Sequence, residues 1–348
     1  MSGPTKGIEE IPVRPLTQAT AEADGRPRRL RVEANLPCAL KAPLEIALAE
    51  RASDHDREAL RPVDLTVQSD NAGSISNHGA AIDSLDAMPD LTVAAGYNTL
   101  LDHAFQKRFA TADNFAARPR EAVSPRLAGC GFADPLGIYR VIGVNVFVFV
   151  ADPSRLAGRP APDSWDALLS DDFVDDVAIC GSGDKASKSL MLHVHGLFGE
   201  NGVRRLGRNV RAGMHPSQYI KGLGTGRPEC PAVAVMPWFF ARLAGIRRPA
   251  GLAWPRDGAV AMPFFLLAKR RGAPGLGCFV EDLEGREVGR ICSGAGFPAL
   301  HPDAPCPLPD EARLSWLGWD AIRDADLAVL RRQVADAFEA GRQEVRDA

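Results

Sequence analysis

Hydrophobic and polar positions along this chain repeat with two periods, and the switches between them mark out strands and helices. Residues 30–36 and 63–68 place branched or aliphatic side chains at every second position, the period of a half-buried strand, and 90–95 is a short apolar run of strand length. Each gives way to a polar turn and then to helical spacing. Pro37 and Cys38 lead into Leu and Ile at helical intervals over 40–51. Asn71-Ala72-Gly73-Ser74 leads into a helix carrying Ile75, Ile82 and Leu85, and Gly96-Tyr97-Asn98 into a helix over 100–109. Three strand-loop-helix units in succession predict a parallel sheet whose loops gather at the carboxyl edge, where α/β proteins place their ligands.

The second half changes character at residues 137–150, a β-rich run holding Ile138, Tyr139, Val144, Val146, Phe147, Val148 and Phe149. It exceeds the usual strand of about five or six residues and predicts a strand that crosses from one lobe to another. Next, Pro162-Asp163-Ser164-Trp165-Asp166-Ala167-Leu168-Leu169 reads as a capped helix. Val177-Ala178-Ile179-Cys180 reads as a strand emptying into Gly181-Ser182-Gly183-Asp184, a loop that opens another helix. Helices are expected over 187–210, 216–222 and 238–244, with a strand over 232–236. Residues 252–254 and 259–268 predict a strand pair returning to the first lobe, 275–292 a helix, and 294–309 a proline-rich loop. Terminal helices follow over 309–348, the last amphipathic through Leu327, Leu330, Val334 and Phe338. The fold class is therefore α/β and two-lobed, each lobe a mixed sheet flanked by helices. Residues 29–138 with 260–348 form lobe 1, residues 139–259 form lobe 2, and 1–28 form a flexible leader.

Composition narrows the partners. With 348 residues, 45% hydrophobic and 24% charged, the chain is long and apolar enough for two packed lobes. Its 41 basic and 44 acidic residues leave a net charge of −3, so no overall field draws it to nucleic acid or to an anionic membrane. Seven cysteines, widely spaced and without a CxxC pair, point to a reducing compartment and to no metal site. Residues 1–28 lack the apolar core of a secretory signal, and no run of 18 apolar residues predicts a membrane span. Cytoplasmic location is expected on these grounds, and periplasmic location if the start site is misassigned.

Candidate ligand residues come from the turns. Ser182, Gly183, Asp184 and Lys185, between a strand and a helix, offer backbone N–H groups to a carboxylate, phosphate or sulfate, or else simply cap the helix. Ser74, Tyr97 and Asn98 give lobe 1 its wall of the same cleft; Asn98 offers both a donor and an acceptor, or caps a helix. Trp238 suits stacking on a planar or cationic ligand, or core packing. His215, at a helix start, with Tyr219 one turn on, is a further cleft candidate. Asp257, followed by Gly258, meets a cationic group or forms an Asp-Gly turn. His193 and His195 point about 200° apart on a helix and read as structural. Cys38, at a helix start after the first strand, is either a small buried hydrophobe or a thiol activated by the helix dipole. No cofactor and no catalytic set of recognisable spacing emerges.

The stretch Asp152-Pro153-Ser154-Arg155-Leu156, then 162–169, then Val177-Ala178-Ile179, is similar to the opening of the second domain in extracellular solute-binding proteins of the ferric-iron, thiamine and polyamine transport group. Phe297-Pro298-Ala299-Leu300-His301-Pro302 resembles their late loop. The resemblance covers roughly residues 29–340 and implies a type II periplasmic-binding-protein fold. It further implies a hinged Venus-flytrap cleft for a small polar or charged ligand and a link to an ABC transporter permease. Iron binders of the group use adjacent tyrosines, where this chain has Trp238-Phe239. Thiaminase-like enzymes share the fold and employ a cleft cysteine, so a Cys38-dependent transferase is the enzyme alternative. A ligand-sensing regulator that docks through its last helix is the other.

Overall fold

In a computed structural model, residues 29–57, 62–69, 74–118, 120, 122–182, 185–247, 251–271 and 275–347 are described. The first half runs β1 (Leu30–Asn35), α1 (Cys38–Arg57), β2 (Val63–Gln68), β3 (Leu91–Ala95), α2 (His103–Phe109) and β4 (Arg140–Ala151). There follow α3 (Trp165–Leu168), β5 (Val177–Ser182), β6 (Lys185–Ala186), α4 (Lys188–Asn209), β7 (Val210–Met214), α5 (Pro216–Gly222), β8 (Val233–Pro237) and α6 (Trp238–Arg247). The chain closes with β9 (Gly251–Ala253), β10 (Ala259–Ala268), α7 (Leu276–Glu284), α8 (Arg286–Gly294), β11 (Leu314–Ser315), α9 (Trp319–Asp324) and α10 (Leu327–Arg346).

The strand order β2-β1-β3-β10-β4-β8-β5 runs through both lobes. Strands β2, β1 and β3 are parallel, as the three strand-loop-helix units require. Strand β10 lies antiparallel to β3 and β4, and β8 antiparallel to β4. Strands β4 and β10 are thus the two crossing strands. Gly143 permits the crossing, because a Cβ there would collide with the Phe264 ring on β10.

Two apolar cores sit on the sheet. One joins β1, α1, α7 and α8 through Val32, Leu40, Leu44, Phe279 and Val288, with Phe264 of β10 beside them; the other spans the remaining sheet, α4 and α10. Helix α10 lies along α4 so closely that a Cβ at Gly207 would strike the Phe338 carbonyl, and one at Gly341 the Arg204 carbonyl. The apolar face of α10, including Leu327, Val334 and Phe338, is therefore buried. A docking role for that face, expected in the regulator alternative, is corrected: α4 already covers it.

Four local expectations change. The helix expected from Ser74 is three short 3₁₀ turns, 75–77, 79–81 and 85–87, because Thr99 Oγ1 accepts from Gly79 N at 2.7 Å and donates to Ser76 O at 2.7 Å. Those tertiary hydrogen bonds displace the helical ones. The helix over 275–292 divides at Gly285 into α7 and α8. Strands β9 and β10 do not pair with each other; β9 pairs with β4, and β10 separates β3 from β4. The terminal segment includes strand β11, paired with β10.

Candidate functional site

Lobe 1 builds its wall at the carboxyl ends of β1, β2 and β3. Glu33 on β1 ties the loop after β2: Ser74 Oγ donates to Glu33 Oε1 at 2.8 Å and Ile75 N donates to the same oxygen at 2.8 Å. Ser74 is fully buried by this arrangement. Asn35 Nδ2 donates to Ser76 Oγ at 3.2 Å, and exposed Cys38 starts α1. After β3, Gly96 turns the chain at φ +69°, a conformation suited to glycine. Asn98 Oδ1 accepts from Leu100 N at 3.0 Å, while its Nδ2 donates to Ala95 O and Gly96 O. The amide is occupied in shaping the turn.

Lobe 2 presents the carboxyl ends of β5, β7 and β8. Ser182 of β5 pairs antiparallel with Lys185 of β6. Helix α4 begins at Lys188 and is capped by Ser187, whose Oγ accepts from Leu190 N at 3.4 Å. The helix thus starts at Ser187 as the sequence predicts, while Ser182 and Lys185 belong to β5 and β6 and not to the expected loop; Gly183 and Asp184 lie outside the described residues. His215 caps α5 through Nδ1, which accepts from Ser217 N at 3.2 Å. Its exposed ring meets Phe240 edge-on at 5.5 Å. Phe239 and Phe240, half-buried with ring centroids 3.9 Å apart, lie in the first turn of α6.

The register of the crossing strands sets these walls against each other. Strand β3 ends at Ala95, opposite Phe264, which is opposite Gly143; β8 ends at Pro237, opposite Phe147. Four residues of β4 separate the two ends, about 13 Å at strand rise. The walls already touch: Tyr97 N donates to Ser189 Oγ at 3.3 Å. Between them Asn145 pairs with Met262, and it is the one residue of β4 and β10 that is not buried. Its Oδ1 is nevertheless shielded from solvent and has no hydrogen-bond partner.

The model of bacterial extracellular solute-binding proteins matches residues 86–325, more than half of the chain. The chain belongs to this family. No curated protein sequence matches. Among solved structures, the periplasmic binding protein AfuA from Actinobacillus pleuropneumoniae, with exogenous fructose-6-phosphate bound, superposes with a TM-score of 0.60 at 13% identity, covering 89% of this chain and 98% of that one. Apo FutA2 from Synechocystis PCC6803 gives 0.57 at 15%, covering 92% and 99%, and the apo ferric ion-binding protein A of Pasteurella haemolytica gives 0.58 at 11%, covering 91% and 98%. The architecture is that of type II periplasmic binding proteins, and the solute-binding reading of the sequence holds.

Within this solute-binding protein the candidate residues separate into two groups. Ser74, Tyr97, Asn98 and Cys38 stand at the carboxyl edge of lobe 1, and Ser182, Lys185 and His215 at that of lobe 2. Tyr97 is buried there, its hydroxyl donating to Ala261 O at 3.4 Å and accepting from Leu317 N at 3.1 Å. The other three spend their polar atoms inside the protein, Trp238 directly after β8 at the lobe 2 edge. Tyr219 is inside lobe 2, its hydroxyl between the carbonyls of Val150 (3.1 Å) and Ala232 (3.2 Å). Trp238 is buried, donating through Nε1 to Pro307 O at 3.1 Å and meeting Trp254 edge-on. Asp257 accepts from Trp165 N at 2.9 Å and so caps α3. Burial raises the phenol pKa of Tyr97 and Tyr219 well above the ordinary value. Among the described residues no group of three or more His, Cys, Asp and Glu is placed to hold a metal. Asn145 was missed by sequence reasoning. The signal was present, since it is the one polar residue inside the run Val141 to Ala151.

Proposed function

We propose that this solute-binding protein captures a small polar solute between lobe 1, residues 29–138 with 260–348, and lobe 2, residues 139–259, and delivers it to an ABC transporter permease. One observation carries the reading. The carboxyl ends of β3 and β8 converge over the same short stretch of β4 and β10, so a ligand there meets loops from both lobes at once. A ligand held by both walls binds the closed form better than the open form and shifts the balance toward closure by that difference. Cys38, His215 and the Phe239-Phe240 pair supply polar and apolar edges around such a ligand.

One similar structure holds fructose-6-phosphate and another is a ferric ion-binding protein, so the fold leaves the solute open. Phenolate capture of a metal is disfavoured here. All three tyrosines of the chain, Tyr97, Tyr139 and Tyr219, are buried with their hydroxyls on backbone carbonyls, and burial raises each pKa. The family's description as extracellular favours work outside the cytoplasmic membrane over the cytoplasmic reading; among the described residues no helix is long and apolar enough to cross one. Binding needs no turnover, and Cys38→Ser is expected to leave it intact.

The test is a thermal-shift and calorimetric screen against amines, amino acids, polyols, sugar phosphates and metal ions. A solute at about 100 times its dissociation constant adds about 2.7 kcal/mol to folding stability. One chemical class raising Tm in a saturable way, with Cys38→Ser unaffected, supports capture. Consumption of the solute by the parent protein but not by Cys38→Ser refutes the binder reading.

A further inference from the structure

We propose that Asn145 is a ligand-contacting residue, and that the solute carries an N–H or O–H donor which its side-chain oxygen accepts. This rests on the capture reading above and adds the chemical requirement on the ligand. The physical argument begins with an imbalance. In β4 and β10 every residue but Asn145 is buried and, apart from Arg140 at the outer end of β4, apolar or glycine. An asparagine at the centre of such a floor forgoes the packing of a valine or leucine. It also leaves Oδ1 shielded from water with no hydrogen bond, an arrangement that costs stability in the free protein.

The position gives that unused acceptor a purpose. Asn145 is two residues from Gly143, in register with the end of β3, and two from Phe147, in register with the end of β8. It is about 7 Å along the strand from each. Its neighbours across the ladder close the rest of the floor: Met262 opposite it is 5% exposed, and Phe147 is 5% exposed. Gly143 and Val144 are held on their other edge by the late loop, through the Gly143-Ala299 bridge and Val144 N donating to Pro298 O at 3.0 Å. The late loop ends where β8 has not yet begun, and Asn145 occupies that gap. Asn145 is the one half-buried residue of this floor, so a solute seated against it reaches the side chain once Oδ1 turns outward. A bound donor would satisfy Oδ1 only when the solute is in place, so the contact discriminates against solutes without a donor.

Three pairs of probes test this: putrescine with its bis-quaternary hexamethyl form, glycine with betaine, and glucose 6-phosphate with its permethylated form. Each is titrated into the parent protein, Asn145→Leu and Asn145→Asp by calorimetry, and unfolding is followed without ligand. The expected result is binding of a donor-bearing member with its methylated counterpart roughly tenfold weaker or worse, and a comparable loss in Asn145→Leu. Asn145→Leu alone should unfold at the same or a higher temperature than the parent. Asn145→Asp separates the two donor sources, since it tightens binding of an ammonium solute and not of a hydroxyl one. Equal binding of both members of a pair, or full affinity in Asn145→Leu, overturns the Asn145 proposal and leaves capture standing. So does a lower unfolding temperature of ligand-free Asn145→Leu, which would make the side chain structural. Loss of putrescine binding in Asn145→Asp overturns it as well, since a carboxylate keeps the acceptor and adds attraction for an ammonium group. No response of the parent to any probe while Asn145→Leu is destabilised counts against both readings.

Discussion

Along the seam between α4 and α10, glycines bring two backbones into contact and apolar side chains fill the space between them; on the floor between the lobes, a lone asparagine interrupts the apolar run and keeps an oxygen unbonded. The seam is tied further by Arg204 and Arg208 with Glu344, while Arg331 holds α10 to the segment after β3, donating to Tyr97 O at 3.1 Å and forming an ion pair with buried Asp102. The seam satisfies these charged groups internally, His193 of α4 being an exception. A region whose task is to bind holds one polar group in reserve. The comparison has a control in His193, buried on α4 with both ring nitrogens unpartnered. It is 1% exposed, so it burdens stability without offering a site, whereas Asn145 is half-buried on the strand that joins the two walls.

The largest effect is expected in the seam. Gly341→Leu forces α10 off the Arg204 carbonyl and should cost about 3 kcal/mol or more in urea unfolding, because overpacking against backbone has no side-chain relief. The same change at the neighbouring exposed Ala340 should cost little, and equal losses at both would remove the close-contact argument.

Next comes His193. Burial lowers its pKa from 6.5 to about 4, so between those values the unfolded chain binds a proton that the native state excludes. Stability is fully present above pH 6.5 and falls as pH drops toward 4, by up to about 3 kcal/mol. His193→Phe should flatten that part of the stability-pH curve, and an unchanged slope would show that other groups carry it.

Tyr219→Phe ranks third. It removes the single hydroxyl proton shared between the Val150 and Ala232 carbonyls inside lobe 2 and should cost about 1–2 kcal/mol without altering solute affinity. A selective loss of affinity would return Tyr219 to the cleft.

Smallest is Asp257→Ala, expected to cost about 1 kcal/mol through the lost α3 cap, again with solute binding unchanged. Weaker binding of a cationic solute with no change in stability would contradict the capping role.

The strands and their partners in space are unequally legible. Periodicity over 30–36, 63–68 and 90–95, and the long run over 137–150, locate four strands because alternation and apolar length are local properties of a pleated backbone. The segment 74–87 has the local pattern of a helix and is not one, because its hydrogen bonds run to Thr99, a partner that local pattern does not reveal. Tyr219, Trp238 and Asp257 carry the right chemistry for a cleft, yet each spends its polar atom on a backbone group far along the chain.

By itself the sequence determined the α/β class, the crossing strand and the family resemblance, since these follow from short-range patterning and from recurring local text. Which polar groups remain for a ligand was decided only by tertiary structure. Hydrogen bonds between distant segments occupy Ser74, Tyr97, Tyr219, Trp238 and Asp257, and the register places Asn145, with its oxygen unpaired, on β4 between the ends of β3 and β8.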